Sequence, residues 1–383
     1  MTKVFRISTV PSSLNILLKG QLKYLNQYFD ITAVSGGGED LDEVRDREGV
    51  KTYVIEMKRQ ISPLQDLVSL VKLYFYFKKE KPDIVHSLTP KAGLLSMVAA
   101  KMAGVPFRLH TFTGLVFPHK KGTMQKILVL MDKILCFCAT NIYPEGNGVK
   151  NDLEKYQITT KPLKVIANGN INGVDLDYFN PESFTETEKK NFRKDLNILP
   201  DDFVFLFVGR LVKDKGINEL VTAFLKLSKK NPKIKLLLVG PYEDDLDPVL
   251  PETKKAIENH SDIISVGFQK DVRPYFTISD IFVFPSHREG FPNVLLQAGA
   301  MDLFSIVTDI SGSNEIVQKG RNGTIIPVDN IEKLFLEMEK IMKKKQSNSS
   351  LEMYCRSIIK EKYNQSVVWQ GVKSEYEILI NNN

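Results

Sequence analysis

Short apolar runs alternate with longer amphipathic stretches along the whole chain. Runs of this length, rich in Val, Ile, Leu and Phe, read as strands buried on both faces, and the stretches between them carry helical periodicity. The N-terminal half predicts strands near Val4–Ser8, Ile31–Val34, Thr52–Ile55, Ile84–His86, Phe107–Thr111, Thr140–Tyr143 and Lys164–Ile166, with helices such as Leu64–Lys79 and Lys91–Ala103 between them. The C-terminal half repeats the theme with Val204–Val208, Lys235–Val239, Ile263–Val266, Ile281–Phe284, Ser305–Val307 and Thr324–Ile326. Strand–helix alternation of this kind predicts an α/β chain of two doubly wound sheets. The expected domains are 1–170 and 171–367, joined by the Asn- and Gly-rich segment Ala167–Pro181, which suits a hinge. No repeat at a fixed short period is visible.

Composition refines this picture. A chain of 383 residues with 43% hydrophobic content is long enough for two cores. The stretch that departs from ordered composition is Lys343–Ser350. Cys136, Cys138 and Cys355 are too few for a disulfide framework, and the Cys136-x-Cys138 pair has no neighbouring His for zinc. They read as core residues in a reducing compartment. The first residues read as a strand rather than a signal sequence, and no apolar run reaches the ~20 residues of a membrane span.

Charge is uneven: residues 1–180 carry a net +7 and residues 181–383 a net −1. The positive half places Leu73-Tyr74-Phe75-Tyr76-Phe77 beside Lys78-Lys79, and His119-Lys120-Lys121-Gly122 before the apolar run Ile127–Cys138. Aromatics next to lysines suit a surface facing anionic lipid. The same pattern also fits a buried helix with a solvated basic end. Nucleic acid is excluded as a partner: no helix carries a basic stripe and no base-stacking motif occurs.

Two runs carry chemistry. In Pro285-Ser286-His287-Arg288-Glu289-Gly290-Phe291-Pro292-Asn293, a carboxylate sits where a strand gives way to a helix whose first N–H groups are unpaired. In Phe203–Gly216, an apolar strand ends at Gly209, and Arg210 and Lys215 follow on a loop before a helix. Alone, each run reads as a helix start or a solvated basic loop. Together, at strand carboxyl ends, they describe one site: a planar fork and a point charge for a diphosphate, and a carboxylate for hydroxyls.

These residues resemble the family 4 glycosyltransferases of GT-B fold. The chain matches G-R-L-x-x-x-K-G at Gly209, Arg210, Leu211, Lys215 and Gly216, then P-S-x-x-E-G-F at Pro285, Ser286, Glu289, Gly290 and Phe291. Ile171-Asn172-Gly173-Val174-Asp175 with Phe179, and Gly312-Ser313-Asn314-Glu315-Ile316 with Asn322-Gly323, are similar to the family as well. The resemblance implies two Rossmann-like domains facing across a cleft, with the C-terminal helix, about 368–383, packing back on the first. It implies retaining transfer of a hexose or N-acetylhexosamine from a nucleoside-diphosphate sugar, UDP-linked in the usual case, to a hydroxyl. The implied acceptor is a glycan or a polyprenyl-diphosphate sugar, with the enzyme peripheral on the inner face of the cytoplasmic membrane.

The resemblance assigns the diphosphate to Gly209, Arg210 and Lys215, and the sugar hydroxyls to Glu289. The backbone at Gly290, Phe291, Pro292 and Asn293 then faces sugar and phosphates, and Gly267-Phe268 meets the base. The family's second acid, eight residues after Glu289, is replaced by neutral Gln297, still able to bond ribose hydroxyls. Catalysis is expected from Glu289, Arg210 and Lys215, with His110 a further candidate against the reading of a core histidine. His110-Thr111-Phe112-Thr113-Gly114 stands where relatives carry Thr-x-His-Gly, with Thr113 at the His position. On the acceptor side are Ser12, Ser13, Gly20, Lys91 and Thr113. No metal and no cofactor beyond the nucleotide-sugar are expected: cations stand in for a metal, and Asp244-Asp245-Leu246-Asp247 reads as a solvated turn. Gln297 and the displaced histidine leave two alternatives, a non-catalytic nucleotide-sugar-binding subunit and a GT-B sugar-nucleotide epimerase.

Overall fold

The computed structural model describes residues 1–58, 60, 62–245, 247–346 and 354–382, the side chains of His119 and Gln346 excepted. Of the stretch Lys343–Ser350, residues 347–350 lie outside the described residues, and the rest closes the Ile331–Gln346 helix. The chain divides into two compact units, Met1–Gly173 with Gln365–Asn383, and Val174–Asn364.

The first unit holds β1 (Lys3–Ile7), β2 (Asp30–Ser35), β3 (Lys51–Val54), β4 (Ile84–Ser87), β5 (Phe107–Phe112) and β6 (Asn141–Pro144), all parallel, in the order β3-β2-β1-β4-β5-β6. Alternate residues serve two cores. Phe5, Ile7, Val85 and Phe112 face helices Pro63–Glu80, Pro90–Ala103 and Gly122–Cys138. Val4, Ile31, Ile84 and Leu109 face Pro11–Leu17, Gln21–Leu25, Glu39–Glu48 and the C-terminal helix Gln365–Asn381.

The second unit holds β7 (Phe203–Val208), β8 (Ile234–Val239), β9 (Ile263–Ser265), β10 (Ile281–Phe284), β11 (Phe304–Thr308) and β12 (Gly323–Ile326), in the order β12-β11-β10-β7-β8-β9, again all parallel. Every residue of β7 is buried, as a central parallel strand covered on both faces requires. In both sheets the strand order reverses at the middle pair, β1/β4 and β7/β10, which opens a crevice at the carboxyl ends of those strands.

Three expectations need correction. Lys164–Ile166 is not a strand: Leu163, just before it, makes a single bridge with Ile142, and the chain then turns at Ala167, φ 51°. The C-terminal helix expected at about 368–383 starts earlier, at Gln365, and runs to Asn381 in the first unit, parted at Asn364 from a separate helix, Cys355–Tyr363, in the second. Tyr74 and Tyr76 are half-buried and Phe77 is fully buried, so Phe75 alone of the four rings faces outward.

The C-terminal helix is tied to the first unit by polar bonds as well as packing. The Tyr376 hydroxyl accepts from Arg6 at 2.8 Å and bonds His86 Nδ1 at 2.6 Å. Glu375 accepts from the Tyr143 hydroxyl at 2.9 Å and pairs with Lys164. Trp369 donates to Asn172 at 2.6 Å, with its ring against Gly20. All three cysteines are buried, and burial pushes the Cys136 and Cys355 thiols up to about 12, so they are unreactive core groups at neutral pH.

Candidate functional site

The crevice of the second sheet lies where β7 and β10 end. β7 runs into Gly209 and Arg210, and the chain then makes a single tight helical turn, Lys213–Lys215, before the helix Ile217–Ser228. Gly216 adopts φ 71°, and a Cβ there would stand 2.1 Å from the Pro285 carbonyl oxygen. Only glycine permits this approach, which sets the first loop against the loop that follows β10. Gly312, φ 75°, does the same one layer on: its Cβ would come within 2.5 Å of the Gly290 oxygen.

This contact brings the two motifs together. Lys215 forms an ion pair with Glu289, both side chains largely buried. The fully buried Ser286 donates from its hydroxyl to Glu289 Oε1 at 3.0 Å, and its carbonyl accepts from the Thr308 hydroxyl. The carboxylate is therefore held by a cation and a hydroxyl, with Gly290 and the amino end of helix Asn293–Ala300 beside it. Arg210 is half exposed and donates to Glu243 at 2.6 Å. Each cation of the expected diphosphate clamp thus has a carboxylate partner that a phosphate oxygen can replace.

The acidic loop after β8 is more than a solvated turn. Asp247 accepts from the Asp214 amide at 2.7 Å and its carbonyl from Lys213 N at 3.2 Å, so it braces the clamp loop, while Glu243 holds Arg210. Asp214 in turn pairs with Arg288, and its carbonyl accepts from His287 N at 2.8 Å. Ser286, Glu243 and Asp247 were not named as site residues from sequence. Ser286 stands inside the quoted P-S-x-x-E-G-F match, and only the fold brings Glu243 and Asp247 to the loop. The Ser313 hydroxyl, next to Gly312, is buried and makes no hydrogen bond within the described residues.

The remaining residues expected at the donor belong to the same unit. Phe268 is 74% exposed, directly after Gly267, whose carbonyl accepts from Gly240 N at 2.8 Å. Phe291 and Pro292 are buried, Asn293 is exposed, and Gln297 is half-buried one helical turn further on.

The first unit treats its candidates differently. His110 is 1% exposed, its Nδ1 bonds the Ser87 hydroxyl at 2.8 Å, and burial pushes its imidazole down to about 3. The structure thus places it as a neutral histidine inside the first unit, turned away from solvent. Lys91 is buried and paired with Asp66 at 2.8 Å, its ammonium also donating to the Gln60 carbonyl. Gly20 is covered by Trp369, and its amide donates to Glu48 at 2.9 Å. Ser12, Ser13 and Thr113 are half-buried. Thr9 and Thr89, bonded through their hydroxyls at 2.9 Å, mark the β1/β4 switch point.

Among the described residues one set could hold a metal ion, Glu219, His287 and Asp329, with ligand atoms within 4.8 Å of one another. His287 Nε2 lies 3.4 Å from Glu219, and Asp329 is exposed.

Residues 188–358 match the family described as "Glycosyl transferases group 1", and residues 6–143 match "Glycosyl transferase 4-like". The capsular polysaccharide biosynthesis glycosyltransferase CapM of Staphylococcus aureus is 31% identical over 380 residues, which is 99% of this chain and 97% of CapM. The chain belongs to glycosyltransferase family 4. A second relative is the UDP-Gal:alpha-D-GlcNAc-diphosphoundecaprenol alpha-1,3-galactosyltransferase of Escherichia coli, 29% identical over 88% of this chain and 86% of its own. Among solved structures, Anabaena HepE in complex with UDP aligns with a TM-score of 0.81 at 16% identity, covering 98% of this chain and all of that one. The two six-stranded parallel sheets and this likeness make the fold GT-B. As a family 4 glycosyltransferase the chain is an enzyme of sugar transfer. The family match spans both the Gly209–Gly216 and the Pro285–Phe291 loops.

Proposed function

We propose that this enzyme transfers a hexosyl or N-acetylhexosaminyl group from a UDP-sugar to a lipid-diphosphate-linked sugar during surface polysaccharide or glycan assembly. Transfer occurs with retention and without a metal, at the inner face of the cytoplasmic membrane. The observation that carries the reading is the cluster at the β7/β10 switch point, with Lys215, Glu289 and Ser286 in contact and Arg210 on the same loop as Lys215. Such a cluster suits a ligand with phosphates at one end and hydroxyls at the other. The relatives support the acceptor class through the lipid-linked substrate in the name of the Escherichia coli enzyme, and HepE supports the donor through its bound UDP.

In this mechanism Arg210 and Lys215 receive the diphosphate as its bond to the sugar breaks, stabilising the charge where it develops. Their present partners, Glu243 and Glu289, are released to solvent and to the sugar hydroxyls. The acceptor oxygen bonds the anomeric carbon on the face the diphosphate leaves, and its proton passes to a phosphate oxygen. No carboxylate pair at glycosidase spacing is then required.

The test is a panel of nucleotide-sugars, with and without lipid-diphosphate sugar acceptors, scored for free nucleoside diphosphate and for the anomeric configuration of the product. Acceptor-dependent UDP release that persists in EDTA is expected. Loss in EDTA restored by magnesium or manganese overturns metal independence and points to the Glu219, His287 and Asp329 set. Nucleotide binding with no release under any acceptor indicates a non-catalytic subunit.

A further inference from the structure

Glu219, His287 and Asp329 stand apart from the Lys215 and Glu289 pair and come from three separate connections of the second unit. Glu219 is the third residue of helix Ile217–Ser228, which Gly216 opens. His287 lies on the loop that follows β10, and Asp329 lies three residues beyond β12, at φ 57°. The three are far apart in sequence, and the fold brings one ligand atom from each within 4.8 Å of the others.

Two of these groups are shut away from water without being satisfied. Glu219 Oε2 and His287 Nε2 are buried and make no hydrogen bond within the described residues. His287 Nε2 stands 3.4 Å from Glu219 Oε1. That is long for an N–H···O bond, which closes to about 2.7–3.2 Å. It is the spacing of two ligands on one tetrahedral ion: zinc bonds of about 2.0–2.2 Å to nitrogen and oxygen hold the two ligand atoms about 3.4 Å apart. A bare ion pair between the side chains would close the gap and still leave Glu219 Oε2 unpartnered. Asp329 is exposed, so its carboxylate can turn onto an ion held by the other two.

Charge and ligand type choose the ion. Two carboxylates and a neutral imidazole balance a 2+ charge, and neither carboxylate pairs with a lysine or arginine among the described residues. Magnesium and calcium take oxygen ligands, whereas a mixed set with an imidazole suits zinc and its first-row neighbours.

We infer that Glu219, His287 and Asp329 hold one divalent ion of the zinc class, with water in the fourth position, as a structural staple. The ion ties the start of helix Ile217–Ser228 to the loops after β10 and β12. The His287 amide also donates to the Asp214 carbonyl at 2.8 Å, so the staple braces the turn that carries Lys215. Glu289 lies outside the set and bonds Lys215 and Ser286 instead. The staple therefore goes beyond the proposed transfer and takes no part in its chemistry.

The test uses the full chain without a histidine tag, stripped with EDTA and desalted. Calorimetric titration with zinc chloride should show one zinc per chain. Zinc about 100-fold above its Kd should raise the melting temperature of the second unit by about 5–10 °C, read by scanning calorimetry. Magnesium chloride at the same concentration should leave it unmoved. Asp329→Asn and Glu219→Gln should each weaken zinc binding about tenfold or more. Asp329 is exposed, so the zinc-free melting temperature of Asp329→Asn should match the parent's, which separates a lost ligand from a damaged fold. Absence of zinc uptake leaves His287 and Glu219 as an ion pair and overturns the inference. Parental zinc affinity in both variants, or uptake of magnesium in place of zinc, overturns it equally. UDP release by the same stripped chain keeps the two readings apart. Release that requires zinc, in a chain whose zinc binding depends on Asp329, upholds the site and overturns only the metal-free chemistry. Release without zinc by that chain upholds both.

Discussion

At Arg210 and Lys215 the structure shows two cations waiting in ion pairs, and the consequences differ. Arg210→Ala and Lys215→Ala should each lower transfer by about 10²–10³, because each removes a charge aimed at the leaving diphosphate; steady-state release of UDP measures it, with unchanged circular dichroism as the folding control. Glu243 is the competitor for Arg210 on a half-exposed pair, so Glu243→Gln should tighten UDP binding modestly, about twofold to fivefold, and most at low salt. Titration calorimetry at two salt concentrations checks this, and weaker binding would make Glu243 a positioning group instead. His110 yields a pH prediction. Its folded imidazole titrates near 3 against 6.5 for the ordinary group, so between these values the unfolded chain binds a proton that the folded chain does not. Stability from this residue is therefore lost as pH falls from about 6.5 toward 3. His110→Asn lacks that loss, so the stability gap between parent and variant should shrink by up to about 1.4 kcal/mol per pH unit across the window. Trp369, the single tryptophan, lies in the first unit, so urea unfolding followed by its fluorescence at pH 7.5 and pH 5 reads the right unit. A gap that is constant with pH would mean that His110 is not held neutral.

At the scale of elements, the strands were legible because each is a short apolar run buried on both faces. The one false strand, Lys164–Ile166, has the right composition, but a single bridge to β6, from Leu163 just before it, precedes the turn at Ala167. That the two motif loops meet was legible for a related reason: each motif is contiguous, and glycine at Gly216 and Gly312 records a close approach that composition preserves. What holds those loops was not legible, because Asp247 and Glu243 meet partners 33 residues away and an acidic turn by itself looks solvated. The aromatic run Tyr74–Phe77 misled for a geometric reason, since neighbouring residues on a helix point 100° apart and cannot share one face. The C-terminal helix makes a testable case of an element defined by its bonds. Tyr376 bonds both Arg6 and His86 where all three are buried. Tyr376→Phe keeps the ring and removes the hydroxyl, so it should cost about 2–4 kcal/mol by leaving a guanidinium and an imidazole without it. Urea unfolding by Trp369 fluorescence measures the cost; a loss under about 0.5 kcal/mol would show that water takes over both bonds.

For the whole molecule, the chain's path makes its two units unequal. The second unit, Val174–Asn364, is continuous, whereas the first needs Gln365–Asn383 to return to it. The returning helix supplies Val372 and Tyr376 to a buried core and, through Trp369, Glu375 and Tyr376, bonds to Asn172, Tyr143, Lys164, Arg6 and His86. A fragment ending at Gly173 would expose that apolar face and strand those polar groups, each costing about 1–3 kcal/mol against a total stability of about 5–15 kcal/mol for a domain. The fragment 1–173 should therefore bind hydrophobic dye and unfold without a cooperative transition, and a peptide spanning 365–383 should restore the transition when added. The fragment 174–364 should unfold cooperatively alone. It contains every residue assigned to the donor, from Gly209 through Gln297, so it should bind UDP within about tenfold of the intact chain while transferring nothing, a difference of up to about 1.4 kcal/mol. Circular dichroism melts and calorimetry with UDP decide the matter. Cooperative folding of 1–173 by itself would reduce the C-terminal helix to an accessory. Loss of UDP binding by a folded 174–364 would mean that the first unit contributes to the donor site, and the assignment of the whole donor to the β7/β10 crevice would fail.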